Sequence, residues 1–407
     1  MVYGLVALFP LLLAAWPGAV SAATTAQTGL DDAMIAKVKA NLRQIATHSW
    51  EIGAELEALT ELEWPTLAVF EGSLPPPSQL VASDNATDVI SIATQVVRNI
   101  TDPSGPLIDG DGAVGDPASI GQAVLLANWT RTNHSDLSLS YAATNQLNYL
   151  LEDAPRSQQG AISQRADQVQ LWADFVYMAP PFIAYYGGMQ GGDEGLSLLK
   201  EAYTQCALYR EHLNNDGSGL WKHIVWGSGT DLNHWGTGNG WGAAGMLRVL
   251  RTIQRSEHAK TLASETEDLT TWVDEILTAV WKFQHSNGTL FNYIDQEATT
   301  TFADTASTAL LAASSYRYAT LTGKFDHIAA ASKAFDLIKA SLTDDGWLLG
   351  TTDPLTFSAP SKAGTFSPEG QAFVLLLQAA WRDFNAAPIT QVRCSLMAIP
   401  GISTSGC

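Results

Sequence analysis

The chain of 407 residues predicts an all-α fold, a closed (α/α)6 toroid in one domain, on three observations. Apolar residues recur at i, i+3, i+4 and i+7 over most of the length, the pattern of helices that bury one stripe. About twelve such segments follow one another, near 31–48, 50–63, 86–100, 117–131, 137–152, 177–187, 194–213, 240–255, 264–285, 303–321, 325–340 and 368–384. A Gly-x-apolar turn also repeats: Gly105-Pro106-Leu107, Gly160-Ala161-Ile162, Gly219-Leu220-Trp221, Gly288-Thr289-Leu290 and Gly346-Trp347-Leu348. Stacked helical units give sequence periods of this general size.

Taken in order, the helices justify themselves. Residues 33–47 place Met34, Ile35, Val38, Leu42 and Ile45 on one face; residues 88–100 do so with Val89, Ile92, Val96, Val97 and Ile100. Residues 266–283 carry Leu269, Trp272, Val273, Ile276, Leu277 and Val280 in the same register. Alternating strand patterns are short and stay near the Gly-x-apolar turns. Polar and aromatic clusters precede every second helix, which suits six hairpins closed into a ring. Inner helices then point their N-terminal ends to one face, where free N–H groups favour carboxylates and anions. An open solenoid would expose its end repeats and would not explain clusters at alternate helix starts.

The first 22 residues carry no charge, hold an apolar core and end in Ala19-Val20-Ser21-Ala22, the pattern of a secretory signal peptide. The catalytic domain is expected over 23–390, and 391–407 form a tail that Cys394 and Cys407 could clip together. Cys206 sits in an apolar helical pattern and is expected as a buried free thiol. A secreted, extracellular protein is expected, with N-linked glycans at the triplets starting at Asn85, Asn99, Asn128, Asn133 and Asn287. The net charge of −19 is spread without a basic stripe, so nucleic acid and anionic membranes are poor partners. Neither zinc spacing nor a phosphate-binding loop occurs, so no metal or cofactor is expected. The assembly is expected to be a monomer or weak oligomer.

Six clusters hold the chemistry: His48-Ser49-Trp50-Glu51; Asp109-Gly110-Asp111 with Asp116-Pro117; Trp172 to Met178; His234 to Trp241; Phe302 to Thr305; and Ser367 to Gln371. Carboxylates stand in five of the six, and sugar chemistry needs a proton donor whose pKa burial has raised. Asp174 is the leading candidate, flanked by Trp172 and Tyr177 and followed by Pro180-Pro181, a helix-start signal. Asp116 precedes Pro117 and reads equally as catalyst or N-cap. Asp304 and Glu369 read as caps and supporting hydrogen-bond partners. His223, His234, Tyr177 and Asn239 are candidates for substrate contacts, and Trp50, Trp172, Trp235 and Trp241 for stacking on sugar. Asn239 lies in the glycine-rich stretch His234-Trp235-Gly236-Thr237-Gly238-Asn239-Gly240-Trp241, which reads as the floor of a pocket.

These residues resemble the six-hairpin glycosidases, in particular the unsaturated uronyl hydrolases of glycoside hydrolase families 88 and 105. "WADFVYMAPPF" is similar to the family segment whose aspartate is the acid/base, here Asp174. "DPASIGQAVL" resembles the segment bearing the second active-site aspartate, here Asp116. "GLWKHIVW" gives His223 a substrate-binding role by the same likeness, and "HWGTGNGWGAAGM" and "SPEGQAFVL" resemble two further inner-helix starts. The family has an arginine where this chain has Thr237, so a substrate carboxylate needs another partner: Arg165, or His223 or His234 at acid pH. The resemblance implies a glycosidase that hydrates the C4=C5 double bond of a uronyl residue at the non-reducing end of lyase-generated oligosaccharides. Asp174 would protonate C4, water would add at C5, and the hemiketal would collapse and release the sugar. Two other readings stand beside it: a hydrolase of saturated uronides using Asp116 and Asp174 as a pair, and a non-catalytic carbohydrate-binding toroid.

Overall fold

A computed structural model describes residue 1, residues 27–110 and residues 112–387. The signal-peptide region, Asp111 and the Cys394–Cys407 tail lie outside the described residues. The helices form six pairs in chain order: α1 (Asp32–Ile45) with α2 (Ser49–Glu63), then α3 (Thr87–Arg98) with α4 (Gly121–Thr130). α5 (Ser138–Asn148) is followed by two inner pieces, α6 (Phe175–Met178) and α7 (Pro180–Gln190). α8 (Gly192–Leu213) pairs with α9 (Gly236–Arg255), α10 (Ala263–Trp281) with α11 (Thr305–Thr322), and α12 (Ile328–Ala340) with α13 (Pro368–Ala386). The second member of each pair packs on the next: α2 on the 3-10 turn Asp116–Ile120 before α4, α7 on α9, α9 on α11, α11 on α13, and α13 back on α2. The ring is closed, as expected from the twelve segments.

Burial follows from position. The outer α3 buries only Val89, Ala93 and Val96. The inner α9 has neighbours on every side and buries nearly its whole length, Gly236 to Leu250 without interruption. Closure is fixed by bonds between distant segments: the Leu30 amide donates to Gln378 Oε1 (2.8 Å), and Arg382 donates to the Leu62 carbonyl (2.6 Å). Cys206 is a buried free thiol on α8, and its surroundings push the thiol pKa up. Among the described residues no helix is long and apolar enough to cross a membrane.

The repeated Gly-x-apolar turns share one hydrogen bond. The amide of the apolar residue donates to a buried helix side chain: Leu107 to Gln146 (2.9 Å), Ile162 to Gln205 (2.8 Å), Trp221 to Asn239 (2.8 Å), Leu290 to Thr308 (2.9 Å) and Leu348 to Gln371 (2.8 Å). Four of these turns need glycine, because Gly160, Gly219, Gly288 and Gly346 take φ between 80° and 101°. A buried amide without a partner is costly, so each helix holds the connection that lies against it.

One expected helix is broken. The segment read as 177–187 is instead α6 and α7, divided at Ala179. Pro180 and Pro181 have no N–H to give the carbonyls four residues earlier, so the helix restarts there. The Val176 carbonyl, freed in this way, faces Gly245 of α9 so closely that a Cβ on that glycine would lie 2.1 Å away.

Candidate active site

The starts of the inner helices share one face of the ring. At α2, the Glu51 carboxylate accepts from the amides of Thr47 (2.7 Å) and His48 (2.9 Å). At α11, Asp304 caps the helix, accepting from Ala306 and Ser307, and also takes the Thr352 amide (2.9 Å). At α13, Ser367 Oγ accepts from the Gly370 amide (3.0 Å). Trp50 donates to Glu369 Oε1 (2.8 Å), which joins the first inner helix to the last. The indole of Trp50 is stacked on His48, with ring centroids 4.7 Å apart.

Asp174 is placed by its backbone. Leu171–Trp172 pairs antiparallel with Ile224–Val225, and the Ala173 amide donates to the His223 carbonyl (2.9 Å). Asp174 then opens α6, yet its side chain makes no capping bond. Its Oδ2 instead lies 3.5 Å from His223 Nε2. Gly245 lets α6 sit this close to α9, since an added methyl would also stand 2.8 Å from Tyr177 Cα. Gly245→Ala is expected to lower the melting temperature and kcat together. Backbone atoms cannot step aside, and overpacking costs about 1–3 kcal/mol, outweighing the roughly 1 kcal/mol of helix propensity that alanine gains. Unchanged stability and rate would refute this account of how α6 is held.

His223 is 1% exposed and its two ring nitrogens face two carboxylates. Nδ1 is 3.0 Å from Asp231 Oδ2, and the same oxygen accepts from Tyr293 Oη (2.9 Å). Asn233 Nδ2 donates to the other oxygen of Asp231 (2.6 Å). Burial alone would lower the His223 pKa, but the bonds and charges of Asp174 and Asp231 outweigh it and raise it. The Asp231 carboxyl is held below its ordinary value, because these bonds overcome its desolvation. Glu369 is pushed well above the carboxylate range, first by burial and then by the charges of Asp174, Glu51 and Asp304. The site thus sets a half-buried carboxyl beside an imidazole whose pKa is raised and near a carboxyl that is raised further, a set able to give and take protons at a sugar.

Asp116 opens the adjoining 3-10 turn and is nearly buried; Gln164 donates to its Oδ1 (2.6 Å). Gly115 before it packs on Phe175 and Met178 of α6, which brings this turn against the Asp174 helix. Arg165 is half-buried, 3.5 Å from Asp167, with its guanidinium against Gly112. Trp172 is half-buried and donates to Gln170 Oε1 (2.7 Å). Trp235 is buried, tilted over His223 at 4.3 Å, and donates to Asn292 (2.8 Å).

Other expected contacts fall elsewhere. Asn239 is fully buried and its amide is used up by the Trp221 amide and carbonyl and the Trp235 carbonyl. It belongs to the turn-pinning series and is corrected from a substrate contact to a structural one. Trp241 packs in the core between Tyr177 (4.3 Å) and Phe373 (4.8 Å), because an indole inside the ring has apolar neighbours on both faces. Tyr177 is likewise buried, under the Arg248 guanidinium at 4.5 Å. His234 is held at the rim between Asp216 (3.0 Å) and Asp295 (2.8 Å), which occupy both its nitrogens. Sequence reasoning passed over Asp231 and Tyr293. It also passed over Phe357, whose ring stands edge-on to His223 at 4.6 Å on a backbone with φ of 41°.

The sequence matches the model of Glycosyl Hydrolase Family 88 over residues 38–355. A comparison with curated proteins returns no match. Among solved structures, the chain is similar to a possible member of the GH105 family from Salmonella enterica serovar Paratyphi A, at 18% identity, with 86% of this chain and 92% of that one covered and a TM-score of 0.67. A possible GH105 member from Klebsiella pneumoniae shares 18% identity over 91% of this chain and 98% of that one, with a TM-score of 0.68. The unsaturated glucuronyl hydrolase of Bacillus sp. GL1 shares 12% identity over 84% and 94%, with a TM-score of 0.56. At these identities the likeness establishes the six-hairpin helical ring.

Proposed function

The chain belongs to glycoside hydrolase family 88, and from that premise we propose that it removes a 4,5-unsaturated uronyl residue from the non-reducing end of oligosaccharides left by polysaccharide lyases. It is a glycoside hydrolase acting on an oligosaccharide, so the non-catalytic reading of the toroid falls away. One observation carries the finer reading: Asp174 opens an inner helix with no capping duty, and a buried histidine stands 3.5 Å away. A carboxyl placed so is free to act on a ligand at the mouth of the ring.

In the proposed reaction, Asp174 gives its proton to C4 of the enol ether, leaving a cationic centre at C5 shared with the ring oxygen. Water attacks C5 and returns a proton to the Asp174 carboxylate, so the acid is regenerated. The hemiketal opens to a C5 ketone, and C1, now a hemiacetal, expels the alcohol of the next sugar. One water is consumed, and one carboxyl group serves both proton transfers. His223, whose pKa is raised by Asp174 and Asp231, faces this site; Thr237 carries no charge, and His234 is engaged by Asp216 and Asp295.

The test is incubation with lyase digests of rhamnogalacturonan, ulvan, glucuronan and glycosaminoglycan, following the ultraviolet absorbance of the double bond. The absorbance is expected to fall with at least one digest. If none is consumed while a saturated uronide is hydrolysed, the reading is wrong and Asp116 with Asp174 becomes the acid–base pair. We place the activity outside the cell, a reading supported by the leader-like residues 1–22 and by acceptor asparagines that are exposed or half-buried. The same assay on the culture medium of a producing strain checks it; activity confined to the cells would sink it.

A further inference from the structure

We propose that Asp231, itself held by Tyr293 and Asn233, is a positioning residue that fixes the His223 ring with one N–H on Asp231 and the other aimed at Asp174. The inference deepens the hydrolase reading above and rests on it only for its kinetic arm.

The argument is geometric. A carboxylate only accepts hydrogen bonds, so once Asp174 has given up its proton, a ring whose two nitrogens face two carboxylates satisfies both only when each nitrogen carries a hydrogen. Nδ1 stands 3.0 Å from Asp231 Oδ2 and Nε2 stands 3.5 Å from Asp174 Oδ2. Asp231 is the closer and better-anchored of the two, with Tyr293 Oη at 2.9 Å, Asn233 Nδ2 at 2.6 Å and the Asn233 amide at 3.2 Å. Its segment is also tied to the strand that carries the histidine: the Ile224 amide donates to the Asp231 carbonyl at 2.8 Å, and the reverse bond is 3.1 Å. Aromatic rings close the remaining sides, Trp235 at 4.3 Å, Phe357 at 4.6 Å and Trp172 at 5.7 Å. Asp174 and Asp231 are the charges that raise the pKa of the ring. Tyr209 and Glu369 also feel the Asp174 charge.

The consequence is a division of labour. Asp174 touches the substrate and moves the proton. When it has given that proton away, the Nε2–H of His223 stabilises the carboxylate left behind, and Asp231 keeps that N–H in place by bonding the opposite side of the ring. Tyr293 lies in the connection between the paired strands Leu290–Phe291 and Ala303–Asp304, so its hydroxyl couples the fourth and fifth hairpins at Asp231.

The experiment has two arms. In the first, the histidine ring nitrogens of the wild type, Asp231→Asn and Tyr293→Phe are titrated by 15N NMR, the His223 signal being assigned by its loss in His223→Gln. The charged form of His223 is expected to persist to higher pH in the wild type than in Asp231→Asn, with Tyr293→Phe between them. Identical titrations in all three would overturn the proposal, whatever the substrate. In the second arm, the lyase digest that the wild type consumes is given to the same variants and to Asp231→Glu. Asp231→Asn is expected to lose roughly 10–100-fold in kcat, by analogy with the scale for outer partners that orient metal-ligating histidines. Its KM should change little, its alkaline limb should move to lower pH, and Asp231→Glu should recover part of the loss. A purely structural Asp231 would lower the melting temperature without moving the pH profile, and that result would also overturn the proposal. If no digest is consumed by the wild type, the hydrolase reading fails while the first arm still decides this one.

Discussion

Asp174→Asn is expected to lose kcat by roughly 10²–10⁴-fold, the range that a positioned acid–base group supplies, while the melting temperature stays where it was. The substitution keeps the shape of the side chain and removes only its ability to hold and release a proton. Because Asp174 makes no capping bond to α6, no helix start is lost with the charge. The Asp174 charge is one of those that raise the Glu369 carboxyl, so the variant also eases that group. A neutral Asn opposite Nε2 leaves His223 with Asp231 as its one ionic partner, so the charged form of His223 should be lost at lower pH than in the wild type. Absorbance-based turnover and a thermal melt on the same sample check both halves. Full turnover in this variant would end the assignment; an inactive and unfolded variant would be read against Asp174→Glu, which retains the carboxyl and is expected to recover measurable rate.

The ring and its polar face were legible because both rest on local patterns. Helical periodicity marks each segment, and a helix start announces itself by Ser, Asp or Pro, as at Ser367-Pro368 and Asp304-Thr305. Asp174 stood out because its neighbours Trp172, Tyr177 and Pro180 are a local signal. Asp231 and Tyr293 gave none: they are 62 residues apart, both lie outside helices, and only the folded ring brings them to one histidine. Phe357 carries a positive φ without being glycine, which sequence does not reveal. Asn239 was misread because a polar residue among glycines and tryptophans suggests a ligand. The correcting signal was present in the series Gln146, Gln205, Asn239, Thr308 and Gln371, yet these follow their turns at separations from 18 to 43 residues. No fixed offset exposes such a series before the fold is known. Trp241 shows the converse, an aromatic at a helix start that apolar packing claims before any sugar does.

The helices that carry the site are held beneath it by buried charge, and here the largest loss of stability is expected. Arg248 of α9 pairs with Glu57 and with Glu61 (2.6 Å) of α2, Glu61 pairs with Arg317 of α11 (3.0 Å), and Arg317 pairs with Asp383 of α13 (2.5 Å). Four inner helices thus meet in one ionic chain, with the Arg248 guanidinium against the ring of Tyr177, three residues beyond Asp174. Removing one partner of a buried pair costs about 3–5 kcal/mol, because the other is left charged and dry. Arg248→Met keeps the aliphatic packing and should show this cost in urea unfolding at pH 8. The cost should shrink at pH 5, and the sign follows from Glu57. Burial raises its carboxyl to about 7 despite the lowering effect of Arg248. A raised carboxyl binds its proton more tightly folded than unfolded, so its contribution is complete below the ordinary value of 4.5 and is lost as pH rises through about 7. At pH 5 Glu57 is therefore already largely neutral and loses little with Arg248, whereas at pH 8 the variant must either bury a bare carboxylate or protonate it against the solvent. Adding Glu57→Gln to Arg248→Met should return part of the stability at pH 8 and almost none at pH 5, since the coupling between neighbours is what a double-mutant cycle isolates. A destabilisation that is the same at both pH values would mean that Glu57 is not the partner whose charge Arg248 balances.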